Sequence, residues 1–168
     1  MGVSFHTLPR ETDVNIRDAF VAPEGWVYIT ADFSAAELRI LTHIADEAAM
    51  RKAFVEGLDL HSYAASLLYD KDIELVDKDE RQIAKAVSFL IVFGGDEHTL
   101  SEKHAVSLYK AKEIIDKYLE VFPGVKGYIE ARKQEAMENG FVESIFGRRR
   151  NLGNVRSGRK YIVERALR

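Results

Sequence analysis

Apolar residues follow two periodicities along this chain: one short stretch alternates at every second position, and the longer remainder repeats every three to four. Over residues 26–32, Val27, Ile29 and Ala31 share one side, while Trp26, Tyr28, Thr30 and Asp32 share the other. That alternation predicts a strand, with Asp32 pointing away from its aliphatic face. A helix is expected directly after it. Ser34 suits an N-cap, Glu37 three residues on completes a capping box, and Leu38, Leu41, Ile44 and Ala45 supply an apolar stripe. The same periodicity predicts helices over 48–56, 61–69, 78–93, 99–105, 109–121 and 125–138, with Phe122-Pro123-Gly124 as a stop and restart between the last two. Residues 142–144 and 149–152, around Phe146-Gly147-Arg148, predict a short hairpin, and residues 159–168 begin another helix. The expected fold class is α/β in the α+β sense and mostly helical. A lone strand and a hairpin make a poor free-standing sheet core, so neighbouring strands are expected from outside these residues.

Composition narrows the class. The chain has 168 residues, 46% of them apolar, which suffices for the core of one ordinary domain. Cysteine is absent, which excludes disulfides and Cys-based zinc sites. No apolar run approaches membrane-spanning length and no leader pattern opens the chain, so the expectation is a soluble, cytoplasmic protein without a membrane partner. The net charge of −3 conceals an asymmetry, because residues 147–168 carry eight cations against the single anion Glu164. A patch that basic either attracts phosphate backbones or forms a solvated tail.

The segment around Arg81 carries the most informative pattern. On a wheel of roughly 100° per residue, Ile83, Ala84, Ala86, Val87, Leu90 and Ile91 fill one broad arc, while Arg81, Lys85, Phe89 and Phe93 descend the other side at intervals of four. Arg and Lys one turn apart can clamp a polyphosphate, and the rings beyond them can take a sugar or a base. On the pattern alone a second reading stays open, in which the two rings pack against a neighbouring helix and the two cations are simply solvated.

Two motifs in order then point to a family. Residues 81–94, with Arg81, Lys85, Phe89, Phe93 and Gly94, resemble the fingers-helix motif RxxxKxxxFxxxYG of family A DNA polymerases, and residues 31–40, with Asp32, Glu37 and Arg39, resemble the palm motif DYSQIELR at the spacing that family shows. Weaker likenesses occur at Ile16-Arg17-Asp18-Ala19-Phe20, Gly57-Leu58-Asp59-Leu60-His61, Phe122-Pro123-Gly124-Val125, Gly147-Arg148-Arg149 and Glu164-Arg165-Ala166. The resemblance implies polymerase fingers helices with part of a palm β-sheet: partial palm over 1–46, fingers over 47–140, and a return to palm over 141–168. It implies transfer of a nucleotidyl group from a dNTP to a primer 3′-hydroxyl, run by two magnesium ions.

Residue roles follow from the same resemblance. Asp32 matches the first metal-binding carboxylate, with the Phe33 backbone carbonyl as a further metal ligand; without the family, a strand-end Asp reads first as a turn or capping residue. Arg81, Lys85 and His61 match the residues that hold the triphosphate, with Lys85 also catalytic. Glu37 and Phe89 match the gate that crowds a ribose 2′ position, and Phe93 the ring that stacks on the template base. Arg165 matches a contact to primer-template DNA, and Arg148 and Arg149 suit backbone phosphates.

Departures are also visible. Phe93 replaces the motif tyrosine and lacks its hydroxyl, Ser88-Phe89-Leu90 stands where the family generally has Asn-Phe-Gly, and Ala35-Ala36 replaces Gln-Ile. The family's His-Asp-Glu hairpin, which bears the second metal-binding carboxylate, is not among these residues. The expectation is therefore a portion of a polymerase, inactive alone and needing either the missing C-terminal segment or a complementary chain that carries the missing palm and thumb. The competing expectations are a non-catalytic nucleotide- or DNA-binding remnant and an interaction protein derived from a polymerase.

Overall fold

The computed structural model of the chain describes residues 16–153 and Val155. Contacts divide it into two units, Met1–Ser34 and Ala35–Arg168.

In the first unit a 3-10 turn covers Ile16–Ala19, and Trp26 N–H donates to the Pro23 carbonyl at 2.9 Å to close a turn over Gly25, whose φ is +79°. The strand predicted for residues 26–32 does not form: these residues are irregular, and Trp26, Val27, Tyr28 and Ile29 are exposed. Alternation fixes which side chains share a face, but a strand also needs a neighbour to satisfy its N–H and C=O groups. The one ladder among the described residues does not include this segment.

The second unit is a packed array of helices followed by the hairpin. Its described elements are α1 (Ala36–Ile44), α2 (Ala48–Val55), α3 (Leu60–Tyr69), α4 (Lys78–Val92), α5 (Glu97–His104), α6 (Leu108–Val121), α7 (Pro123–Asn139), β1 (Phe141–Glu143) and β2 (Arg149–Asn151). Every helix predicted within the described residues is present to within two residues at each end. The helix predicted over 159–168 lies outside the described residues.

Caps explain the boundaries. Glu47, Asp59, Asp77, Asp96 and Ser107 each accept a backbone N–H from the first turn of α2 to α6 respectively, and Asp77 forms a full capping box with Glu80. The capping box predicted for Ser34 and Glu37 is not formed. α1 starts one residue later than that box requires, its N-cap is Ala35 in the left-handed region at φ +50°, and no side chain caps it. Pro123 enters α7 at its first position, where its missing N–H costs nothing, and Phe122 joins α6 to α7.

The core is continuous beneath the helices. Leu38, Met50, Val87, Leu100, Tyr118, Phe122 and Val125 are fully enclosed, with the Tyr118 and Phe122 rings tilted 4.8 Å apart. Each such side chain contributes roughly 1.5–3 kcal/mol by leaving water. One buried carboxylate ties separate elements together: Glu47 accepts from Ala49 N–H at 3.0 Å with one oxygen and from Gly124 N–H at 2.7 Å with the other. It thereby holds the N-terminus of α7 onto that of α2. Gly124 makes the approach possible, since a Cβ there would stand 2.8 Å from the Ala45 carbonyl oxygen and 2.9 Å from Glu47 Oε2.

The hairpin pairs Phe141 with Asn151, Val142 with Arg150 and Glu143 with Arg149, and turns through Gly147 at φ +78°. Val142 packs with Ala136, Leu152 and Val155 into a small second core.

Candidate functional site

α4 is placed by its N-terminus and its back. Its N-terminus is set by the Asp77–Glu80 capping box, and Lys71 pairs with Glu80 at 2.6 Å. Ala84, Val87, Ser88 and Leu90 are buried, so the arc that the wheel marked as apolar faces the core. Ser88 was not expected there. Its hydroxyl donates to the Ala84 carbonyl at 2.8 Å and accepts from the Tyr118 hydroxyl at 3.2 Å, a polar link between the C-terminal parts of α4 and α6. Burial pushes the Tyr118 hydroxyl up to about 12, despite its hydrogen bond to Ser88.

With its back fixed, α4 turns Arg81, Lys85, Phe89 and Phe93 to the opposite side. Phe93 is the residue that ends the helix, and Gly94 follows at φ +69°. The Phe89 and Phe93 rings stack at 6.1 Å and 10°. At about 1.5 Å of rise per residue the row spans on the order of 18 Å, long enough for a triphosphate and the nucleoside attached to it.

The start of α3 joins this row. The His61 ring lies 5.9 Å from that of Phe89, and Arg81 meets Asp59 through two hydrogen bonds of 2.9 Å. His61 feels the whole cluster. Burial pushes its imidazole below the ordinary range, the Asp59 carboxylate pulls it back up, and the charges of Arg81 and Lys85 press it down again. It is therefore neutral at neutral pH, and its Nδ1 is buried without a hydrogen-bond partner. The structure thus brings together four residues from α4 and one from α3 that the sequence placed only as a helical stripe and a distant match. Sequence reasoning missed Asp59 as a member of the cluster. The available signal was an N-cap type two residues before His61, but its pairing with Arg81 spans 22 positions and leaves no periodic trace.

Beyond the rings, Phe89, Phe93, Gly95, Thr99, Lys103 and His104 border a cleft of about 370 Å³ between α4 and α5. A larger hollow of about 660 Å³ lies between α1, α7 and the hairpin, and among the predicted site residues only Arg149 lines it.

The remaining predicted residues stand apart. Glu37 is exposed in the first turn of α1, a helix that packs against α4. Arg148 is exposed on the hairpin turn, whereas Arg149 donates from Nε to Glu143 at 2.6 Å and lies 4.6 Å above the Phe141 ring. Asp32 and Phe33 belong to the first unit and are exposed there. Arg165 lies outside the described residues.

Two observations bear on metal and membrane. Among the described residues no group of three or more His, Asp or Glu side chains is arranged to hold a metal. Asp32 and the Phe33 carbonyl are hard oxygen donors of the kind magnesium takes, so their chemistry fits, but they make up only part of a coordination shell. No described helix is long and apolar enough to cross a membrane.

Comparison with known proteins covers nearly the whole chain. The sequence model of DNA polymerase family A matches residues 5–168. The thermostable DNA polymerase I of Thermus filiformis is 37% identical over 153 residues, which is 91% of this chain and 18% of that protein. The DNA polymerase I of Rhizobium leguminosarum is 39% identical over 142 residues, 84% of this chain and 14% of that protein. The solved POL domain of Pol1 from M. smegmatis, in complex with DNA primer-template and dNTP, superposes with a TM-score of 0.82 at 31% identity, over 97% of this chain and 29% of that one. The chain spans less than a fifth of the length of these curated relatives.

Proposed function

The chain belongs to DNA polymerase family A, and from that premise we propose that it is the nucleotide-gripping portion of a DNA-directed DNA polymerase. The observation that carries this reading is the meeting of His61, Arg81, Lys85, Phe89 and Phe93 on one surface, built from the start of α3 and the outer side of α4. Arg81 and Lys85 hold the triphosphate, the first through a planar fork and the second as a point charge. His61, kept neutral, can donate a hydrogen bond to a phosphate oxygen without adding charge. Phe89 packs against the sugar and Phe93 against the template base, with stacking retained although the motif tyrosine's hydroxyl is absent. Glu37 crowds the 2′ position and disfavours ribonucleotides. Lys85 also stabilises charge that develops on the leaving pyrophosphate.

In this assignment residues 1–46 are partial palm, 47–140 are fingers, and 141–168 return to the palm, with Arg148, Arg149 and Arg165 on primer-template DNA. Family A polymerases generally use divalent metal ions. Asp32 and the Phe33 carbonyl would hold magnesium together with carboxylates from the remaining palm, and the ion would lower the cost of charge at the attacking and leaving oxygens. The exposed Trp26, Val27, Tyr28, Ile29 and Phe33 belong to a segment that would pair as a strand once the same palm strands lie beside it.

Primer extension tests the reading. This chain, supplied with a second chain that carries the remaining palm and thumb of a family A polymerase, is expected to extend a primer with dNTPs, and Asp32→Ala is expected to abolish that extension. Complex formation and DNA binding without extension would favour a non-catalytic binding role. Extension that survives Asp32→Ala would contradict the assigned chemistry.

A further inference from the structure

Asp59 has no part in the roles assigned above, yet it sits on the grip itself. It caps α3, where its Oδ1 accepts from Ser62 N–H at 2.8 Å and from the Ser62 hydroxyl at 2.9 Å. Both of its oxygens also meet Arg81, Oδ1 from Nε and Oδ2 from Nη2. The Ser62 bonds anchor the carboxylate to its own helix, so the long Arg81 side chain reaches to Asp59 and not the reverse. The pairing takes up the Nε and Nη2 edge of the guanidinium and does not use Nη1. Burial opposes ionisation of Asp59, but the hydrogen bonds from Arg81 and Ser62 and the adjacent positive charge outweigh it and hold the carboxyl well below the usual range. It is an anion at any physiological pH.

The pair adds little to the stability of the fold. Its side chains are 39% and 45% exposed, and ion pairs that open to water contribute little to stability. The cap from Asp59 to Ser62 serves α3 with or without Arg81. What the pair changes is the charge of the face: with His61 neutral, Arg81 and Lys85 supply two positive charges and Asp59 cancels one.

We infer that Asp59 is a built-in counter-anion of the grip, occupying the Arg81 fork when the face is empty and weakening the hold on polyphosphate when it is filled. The inference rests on the reading of this face as the holder of the triphosphate. Its chemical sense lies in turnover, because the cations that bind the triphosphate must also let go of the pyrophosphate that remains after transfer. Removing the charge while keeping the cap should therefore tighten polyphosphate binding. The opposite effect, loss of Arg81 alignment, is limited by Asn, which still offers an amide oxygen to Ser62 or to Arg81.

Inorganic tripolyphosphate, free of magnesium, is the probe, titrated calorimetrically into the parent chain and into Asp59→Asn, Asp59→Ser and Arg81→Gln. Asn and Ser are both good N-caps, and thermal melting by circular dichroism reports whether α3 survives. Asp59→Asn and Asp59→Ser are expected to bind about fivefold to tenfold tighter than the parent at low salt, with the gain shrinking as salt rises. Arg81→Gln is expected to bind more weakly. If Arg81→Gln weakens binding while both Asp59 variants equal or fall below the parent, Asp59 aligns Arg81 and the inference is overturned with the site reading intact. If the parent does not bind, or Arg81→Gln leaves binding unchanged, the site reading fails and takes the inference with it. Unfolding of both Asp59 variants would assign the carboxylate to the fold and overturn the inference as well.

Discussion

Replacing Arg81 and Lys85 together with alanine is expected to weaken dNTP binding to this chain by at least about 100-fold. A hydrogen bond to a charged group contributes roughly 1.5–3 kcal/mol, and the double replacement removes two such contacts to the most highly charged part of the ligand. Both side chains are partly open to water, which places the effect toward the lower end of that range. The stacked Phe89 and Phe93 rings remain, so residual binding should be weak and insensitive to salt, whereas the parent should lose affinity steeply as salt rises. Fluorescence or calorimetric titration with a dNTP measures both quantities. A double variant that binds within about threefold of the parent would show that the triphosphate is held elsewhere.

Glu47→Ala is expected to lower the stability of the helical unit by about 2–4 kcal/mol. The side chain is 3% exposed and satisfies N–H groups at the start of two helices, Ala49 in α2 and Gly124 in α7. Leaving a buried donor unpaired costs about 1–3 kcal/mol, and loss of an N-cap about 0.5–2 kcal/mol, so the two losses together are a large share of an ordinary domain's 5–15 kcal/mol. Glu47→Gln should fall between the parent and alanine, because the amide keeps one acceptor and turns an N–H group toward the other helix end. Urea unfolding followed at the helical circular dichroism band gives the difference. A change below about 0.5 kcal/mol for Glu47→Ala would mean that water or the backbone satisfies both helix ends equally well.

The connection matters for function because of what α7 leads into. Glu47 fixes the start of α7 to the α1–α2 junction, and the far end of α7 carries the hairpin with Arg148. α6, joined to α7 through Phe122, reaches the back of α4 through the bond from Tyr118 to Ser88. One helical framework therefore sets both the row of Arg81, Lys85, Phe89 and Phe93 and the basic hairpin.

Most of the helical architecture was legible in the sequence because its signals are local. The stripe of Ala84, Val87 and Leu90 against Arg81, Lys85 and Phe89 separates at helical spacing whatever lies nearby, and Pro123 and Gly147 mark boundaries that the backbone enforces. The strand failed for a reason that is not local, and the capping box for one that is. Residues 26–32 alternate like a strand, but a strand is completed by a neighbour, and none of the described residues pairs with them. Ser34 and Glu37 have the right spacing for a capping box, yet the left-handed turn at Ala35 moves the helix start past Ser34.

The site shows the same division. The four residues of α4 were readable as a face, whereas the roles of Asp59, Glu47 and Ser88 were not. Each acts through a partner 22, 77 or 30 positions away, and such pairings leave no mark in a single sequence. His61 was reached only through resemblance to a family. The structure supplies its physical setting, an imidazole held neutral between one anion and two cations beside the Phe89 ring.

The backbone amide spectrum of the isotopically labelled chain, recorded with increasing dNTP and no magnesium, reports where the nucleotide sits. Shift changes are expected to concentrate at His61 and along α4 from Arg81 to Phe93, and to need about 100-fold more dNTP in the Arg81→Ala, Lys85→Ala double variant. Changes centred instead on the hairpin at Arg148 to Arg150, or an unperturbed α4 at saturating dNTP, would contradict the assignment of this face as the nucleotide grip.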